Sequence, residues 1–333
     1  MANTHNSLKA GSLFPASVVK EIFSKVQGHS ALANLSNQEP IPFSGTEQFV
    51  FNLEGKAQIV GEGEEKKPGK ATLTSKVIKP LKFVYQARIT DEFIHATKEQ
   101  QLNYLGAFSN GFAVKIAEAF DIAALHGLEP RSMTDASFKA TNSFDGLVTD
   151  NVIEYNAGNI EDDIETSVQT VISGGGSVNG LALSHQAASA LGKVAINGVP
   201  QYQEFRFGGR PTSFHGMKVD VNNTLVTVAE GAEKDHAIVG DFNNSFKWGY
   251  AANIPMEIIE YGDPDNTGRD LKAYNEILLR AEAYIGWGIL LPENFARIVE
   301  TGENGENGEN GENGENGENG ENGENGENGE NGD

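Results

Sequence analysis

The chain has 333 residues, 47 acidic and 25 basic, giving a net charge of −22, and it contains no cysteine. The lack of cysteine excludes a disulfide framework, thiolate zinc sites and a cysteine nucleophile, and points to a reducing compartment. The acidic balance is the opposite of the basic face that a sequence-specific DNA reader needs. No run reaches the roughly 20 apolar residues of a membrane span, and Met1 to Leu8 lacks the apolar stretch of a secretory leader.

The charge is unevenly placed. Residues 302–333 are ten copies of Gly-Glu-Asn followed by Gly-Asp, and they carry eleven of the 22 net negative charges. The first 301 residues have the apolar content of a globular protein. That length suits one large domain or two to three smaller ones.

Residues 1–12 are polar and aperiodic and read as an arm. Residues 15–27 predict a short amphipathic helix, with Pro15 in its first turn and Val18, Val19, Ile22, Phe23 and Val26 on one face. It stops before Gly28, and Pro40 and Pro42 then impose an extended path. Residues 47–90 predict a long two-stranded arm. The runs EQFVFNL and KAQIVGEG lead in, KATLTSKVIKPLKFVYQARIT leads out, and residues 62–70 form a charged, turn-rich tip. An isolated two-stranded ribbon is at best marginally stable in water, so it needs a surface to lie on. That surface belongs either to the same molecule or to a neighbouring subunit.

The strongest helix covers 97–126. Thr97 caps it, and Leu102, Leu105, Phe108, Phe112, Ile116, Phe120 and Ala123 recur at spacings of three and four. Its length is about 45 Å at 1.5 Å per residue. Gly106 and Gly111 either weaken it locally or let another chain approach, and Gly127 and Pro130 end it. Beyond it, residues 160–173 predict a helix, GLALS a buried strand, and HQAASALGKV a second helix. Residues 201–214 read as a loop rich in glycine and aromatics. MKVDV, AIVGDF and PMEIIEY read as strands, and 272–300 as a long strand or strand pair. This mixed order indicates an α+β fold.

No chemistry-bearing constellation emerges. The Gly174–Gly180 run fits neither G-x-G-x-x-G nor a P-loop and reads as a turn. The seven histidines (5, 29, 95, 126, 185, 215, 236) include no pair at i, i+3 or i, i+4, so no metal spacing is present. There is no G-x-S-x-G, and the adjacent carboxylates Asp162-Asp163 and Glu64-Glu65 read as solvated faces. No catalytic residue, cofactor or metal is therefore expected. Lys66, Lys67 and Lys70 at the arm tip are either a solubilising turn or contacts to an acidic patch on another subunit.

Five segments, in order, resemble the major capsid proteins of tailed bacteriophages, the Hong Kong 97-type capsid fold. AQIVGEGEEKKPGKATLTSKVIKPLKFVYQARITDEFI is similar to that family's extended loop and its entry into a spine helix. GLALSHQAASALGK resembles its axial-domain strand and helix. FHGMKVDV, AIVGDFNNSFKWGYAANIPMEIIEYGD and NEILLRAEAYIGWGILLPENFARI resemble its C-terminal half.

The resemblance implies an N-terminal arm at 1–46, an extended loop at 47–90 and a peripheral domain at 91–159 and 271–301. It implies an axial domain at 160–270, followed by the tail at 302–333. It implies self-assembly of hexamers and pentamers into an icosahedral shell around double-stranded DNA, with a portal and no membrane. Assembly would take place in the host cytoplasm and the product would be the virion. The chain enters the fold by about residue 15, so a separate scaffolding protein is expected. The loop tip (Glu62, Glu64, Glu65, Lys66, Lys67, Lys70) would contact a neighbour. Relatives that link loops by Lys–Asn isopeptides make the three lysines possible donors, although no matching Asn or Glu is identified.

The repeat tail carries no proline, unlike collagen, and its regular negative charge favours an expanded coil roughly 30 Å from end to end. Repulsion from confined DNA places it on the outside of a shell. Two other readings stand beside this one. The first is a nanocompartment shell of the same fold around a cargo enzyme. The second is a soluble α+β hydrolase or binding protein.

Overall fold

The computed structural model describes residues 28–54, 57–66, 68–251 and 256–300. The helix expected at 15–27, the rest of the arm before Gly28, Lys67 and the repeat tail lie outside the described residues.

The described chain opens with helix α1 (Ala31–Leu35), whose N-terminus is capped by Ser30. Strands β1 (Thr46–Glu54) and β2 (Lys70–Ile78) then pair antiparallel in unbroken register, from Thr46 opposite Ile78 to Glu54 opposite Lys70. The two-stranded arm is thus shorter than the expected 47–90. Residues 57–63, AQIVGEG, form no strand, and Ile59 within them is 99% exposed.

The return run also splits into β2 and β3 (Leu81–Thr90) at Lys79-Pro80. Proline has no N–H to continue the ladder. Just before it, Ile78 is buried in a notch left by two glycines: a Cβ at Gly288 would lie 2.9 Å from its side chain, and one at Gly286 3.2 Å away. With Ile78 fixed there, the chain turns and β3 joins a different sheet.

That sheet is organised by the 14-residue strand β11 (Glu276–Ile289). Along one edge it pairs with β3 for ten residues, from Glu276 opposite Thr90 to Ile285 opposite Leu81. The other edge takes β9 (Phe246–Tyr250) and then β10 (Met256–Ile259). Against it lies helix α2 (Lys98–His126), where Thr97 and Gln100 form a reciprocal capping box. Gly127 closes the helix with a left-handed backbone (φ 64°). Leu105, Phe112, Ile116, Phe120 and Ala123 are all buried, as their spacing predicts. A Cβ at Gly106 or Gly111 would meet nothing within 4 Å, so neither glycine is required by packing inside the chain.

Helix α3 (Phe144–Leu147) and strand β4 (Val152–Glu154) follow, then α4 (Ile160–Ser173), β5 (Gly180–Leu183), α5 (His185–Leu191), β6 (Ser213–Phe214), β7 (Met217–Val221) and β8 (Lys234–Gly240). The second sheet runs β6-β7-β5-β8-β12-β4, where β12 is Phe295–Glu300. Gly174 caps α4, and Gly175 (φ 85°) turns the chain as the glycine run predicts. Asp162 and Asp163 lie in the first turn of α4, where the helix dipole favours carboxylates, and Asp163 accepts a hydrogen bond from the Asn156 amide.

This sheet is covered on both faces. Leu181, Leu183, Ala237, Val239 and Ile298 face the core under α4 and α5, while Ala182, Ile238 and Phe295 face the core around α2. Alternating sides with no wet face explains why GLAL and HAIVG read as continuous apolar runs. The 272–300 segment is two strands in two sheets. Pro292–Asn294 breaks it, and β12 crosses to pair antiparallel with β8 and parallel with β4.

Candidate functional site

The β1–β2 ribbon is nine residues long on each side, about 30 Å at 3.3 Å per residue. Period-2 alternation puts Phe49, Phe51, Leu73 and Val77 on one face, with Phe51 directly opposite Leu73. All four are more than half exposed, Phe51 at 70%. A contiguous apolar face on a solvated ribbon marks an interaction surface. The base is tied down: Ile78 is buried against β11, and the Lys76 ammonium donates to the Ile289 carbonyl at 2.8 Å. Burial of that amine lowers its pKa to about 8.

Among the tip residues expected to contact a neighbour, Glu62, Glu64, Glu65 and Lys66 are exposed around a turn at Glu62-Gly63, with Gly63 at φ 87°. Glu64 folds back to accept from the Gly61 amide at 3.0 Å, and the Glu65 carbonyl accepts from Gln58. Lys70 is the first residue of β2, opposite Glu54, and is exposed. The tip is therefore a charged turn at one end of the ribbon, while the apolar stripe lies along its flank.

A cleft of about 810 Å³ opens between β3 and α2, lined by Leu81, Phe83 and Ile116 together with Lys82, Lys115 and Arg131. Its lysines are already paired, Lys82 with Glu282 at 2.6 Å and Lys115 with Glu118 at 2.8 Å.

Two buried polar clusters tie the elements together. Asp121, in the last third of α2 and fully buried, accepts from the Ser30 hydroxyl at 2.5 Å, the Ala31 amide at 2.7 Å and the Thr224 hydroxyl at 3.0 Å. It thereby anchors the N-terminus of α1. Burial pushes its carboxyl up to about 7 against the pull of these donors. The fold thus holds a proton that the unfolded chain releases near 3.8, so this group makes stability fall as pH rises from about 4 to 7. The expected loss is roughly 4 kcal/mol. Asp121→Asn is expected to gain on the unsubstituted chain by about that amount across this window, measured by urea unfolding at each pH. Parallel stability curves would show that Asp121 does not titrate there.

The second cluster joins four distant segments. Arg297 on β12, 4% exposed, donates to Asp235 on β8 at 2.9 Å and pairs with Asp145 on α3 at 2.8 Å. The other Asp145 oxygen lies 3.1 Å from Nδ1 of His126, the last residue of α2. Nε2 of His126 lies 3.1 Å from the Thr224 carbonyl, which can only accept, so Nε2 carries a proton. Nδ1 then faces a carboxylate and is favoured in its protonated form. Burial pushes the His126 pKa down, but the hydrogen bond and charge of Asp145 outweigh it, and the net direction is up.

Burial pushes Asp145 up, yet His126 and Arg297 hold it below the usual carboxylate range. Asp235, fully buried, is pushed up to about 7. His126, Asp145 and Asp235 offer ligand atoms within 4.8 Å of one another, the spacing of a cation site, and the Arg297 guanidinium supplies the positive charge there. The arrangement is a structural lock that ties four elements together. Histidine spacing could not reveal it, because its members come from four separate elements. The available signal was Arg297 alone in the apolar run FARIV.

The sequence model of the phage capsid family matches residues 10–299. The probable major capsid protein gp17 of Mycobacterium phage D29 is 25% identical over 276 residues, 78% of this chain and 79% of its own. A solved structure from Mycobacterium phage Ogopogo is 31% identical with a TM-score of 0.68, covering 82% of this chain and 92% of its own. One from Gordonia phage Cozz, 22% identical, shares the fold at a TM-score of 0.64 over 84% and 87%. These relatives do not favour the nanocompartment or the hydrolase reading. The chain belongs to the phage capsid family: it is a structural, major capsid protein of a tailed phage with the Hong Kong 97-type fold.

Proposed function

We propose that each subunit of the shell lays its β1–β2 ribbon across an adjacent subunit, apolar face down. The observation that carries this reading is the stripe Phe49, Phe51, Leu73 and Val77, exposed on a ribbon too thin to bury it. The cleft between β3 and α2 offers an apolar floor of matching character on the neighbour. Glu62, Glu64, Glu65, Lys66, Lys67 and Lys70 then meet charges at the far end of the ribbon.

In this reading 91–159 with 271–301 acts as the peripheral domain, and 160–270 centres the axial domain at the symmetry axes. A separate scaffolding protein guides assembly in the host cytoplasm, and the shell with its portal encloses double-stranded DNA without reading its sequence. The role is architectural, with no reaction catalysed. No helix among the described residues is long and apolar enough to cross a membrane.

Phe51→Lys combined with Leu73→Lys tests the ribbon. Both positions are exposed in the subunit, so its unfolding free energy should fall by no more than about 1–2 kcal/mol, the cost of the lost cross-strand pair and of two facing lysines. Shell formation, followed by sedimentation, should be lost, because docking would bury two unpaired charges. Particles forming at undiminished yield would sink the proposal.

A further inference from the structure

The connection between α5 and β6 presents a fully exposed aromatic side chain. Phe205 is buried and packs edge-on against Phe214 with ring centroids 5.4 Å apart. Two residues later Phe207 is 100% exposed, on a left-handed backbone (φ 56°, ψ 32°) that bulky residues rarely adopt.

The loop around it is firmly held. Tyr202 packs on Phe214 and donates its hydroxyl to Glu161 at 2.5 Å, and the Gly209 amide donates to the Arg206 carbonyl at 3.1 Å. A Cβ at Gly209 would lie 1.9 Å from the Glu204 carbonyl oxygen, so the tight return needs glycine. The Arg206 guanidinium lies 5.6 Å from the centre of the Phe207 ring, and Arg210 is anchored 2.9 Å from His185. The result is a hook whose aromatic tip lies beside the Arg206 guanidinium, with Arg210 exposed three residues further on. Strain of this kind under a solvated aromatic points to a docking role.

A receptor of complementary chemistry lies on the same molecule. Helices α4 and α5 with β6 and β7 border a cavity of about 680 Å³, lined by apolar Ile172, Val178 and Phe214 and by the exposed carboxylates of Glu161, Asp162 and Glu165. Phe207 does not line it, so the hook leaves its own cavity unfilled. We propose that Phe207, flanked by Arg206 and Arg210, inserts into this cavity on a second copy of the same chain. The apolar walls take the ring and the acidic residues take the guanidiniums. The inserting tip, Phe207, is not part of the cavity wall, although Tyr202 both holds the hook and lines the cavity, so the contact is head-to-tail, and such contacts generate closed rings when the rotation closes. This inference rests on the self-assembly reading and names a contact within each ring, separate from the ribbon.

The absence of cysteine makes a direct test available. Phe207→Cys and Ile172→Cys are introduced together and singly into the full chain, and assembled particles are oxidised mildly. The double variant should give covalent pentameric and hexameric ladders on non-reducing gels, and each single variant should run as monomer. Dimers from Phe207→Cys alone would place hooks against one another and overturn the assignment, as would a double variant that stays monomeric within intact particles.

Phe207→Gly provides a second measurement, because it removes the tip while relieving the left-handed backbone. The free subunit should melt at the same temperature or higher, while the concentration for half-assembly rises at least about tenfold. An unchanged concentration overturns the hook. Failure of the unsubstituted chain to form particles even with its scaffolding protein present would overturn the shell reading itself, and this inference with it.

Discussion

Arg297→Met is expected to lower the unfolding free energy by about 3–5 kcal/mol, because it leaves the buried Asp235 without its cation and takes one of two cationic partners from the half-buried Asp145. The cost comes from the stranded carboxylate more than from the lost side chain, since methionine fills much of the same space. Coupling it with Asp235→Leu should therefore recover a large part of the loss, although each change alone destabilises. A double-mutant cycle in urea reads this as a favourable interaction energy of at least about 1 kcal/mol. Strictly additive effects would mean that Arg297 does not neutralise Asp235. The His126 proton held against Asp145 sharpens the expectation, because removing Arg297 leaves His126 as the cluster's one remaining cation partner.

Trp287→Ala is expected to cost about 3–5 kcal/mol, the usual range for emptying a large buried aromatic site. Trp287 on β11 is 1% exposed and is enclosed by Phe120 of α2 at 5.7 Å, Phe138 at 5.4 Å and Phe83 of β3 at 6.2 Å between ring centroids. Its indole N–H donates to the Asn142 carbonyl at 3.0 Å, and Asn142 returns a hydrogen bond to the Trp287 carbonyl at the same distance. Truncation leaves a cavity between the long helix and the long strand and orphans one carbonyl. Trp287→Phe should keep most of the packing and lose only the hydrogen bond, about 1 kcal/mol. Chemical denaturation of both variants checks the ordering. Equal losses would show that the hydrogen bond, not the ring volume, sets the cost.

Which parts of the molecule the sequence reveals follows from the range of the forces involved. Helix α2 is legible because its burial repeats every three or four residues and both ends carry capping chemistry, Thr97 with Gln100 and then Gly127. The ribbon is legible because Phe49 and Phe51 alternate with polar residues and a charged turn follows. Its true extent is not, because KPLKFVYQARIT continues the alternation past Pro80. Only the anchoring of Ile78 beside Gly286 and Gly288, more than 200 residues away, separates β2 from β3. The change of sheet between β11 and β12 is hidden for the same reason: both strands are apolar, and the partner is chosen by tertiary contact.

The polar clusters were harder still. Asp121 reads as a surface charge on a helix until Ser30 and Thr224 arrive from distant segments. Arg297 and Asp235 are 62 residues apart, and no local pattern relates them. Phe207 left a faint trace in Arg-Phe-Gly-Gly, an aromatic set directly before two glycines.

The central claim is that copies of this chain close into a shell through ribbons laid across neighbours. Cryo-electron microscopy of particles formed by the full chain, co-expressed with the scaffold if it stays dispersed alone, tests it most directly. The account predicts closed icosahedral shells in which residues 46–78 of each subunit lie on an adjacent subunit with Phe49, Phe51, Leu73 and Val77 buried. Subunits that remain monomeric with the scaffold present, or shells in which that face stays open to solvent, would contradict it.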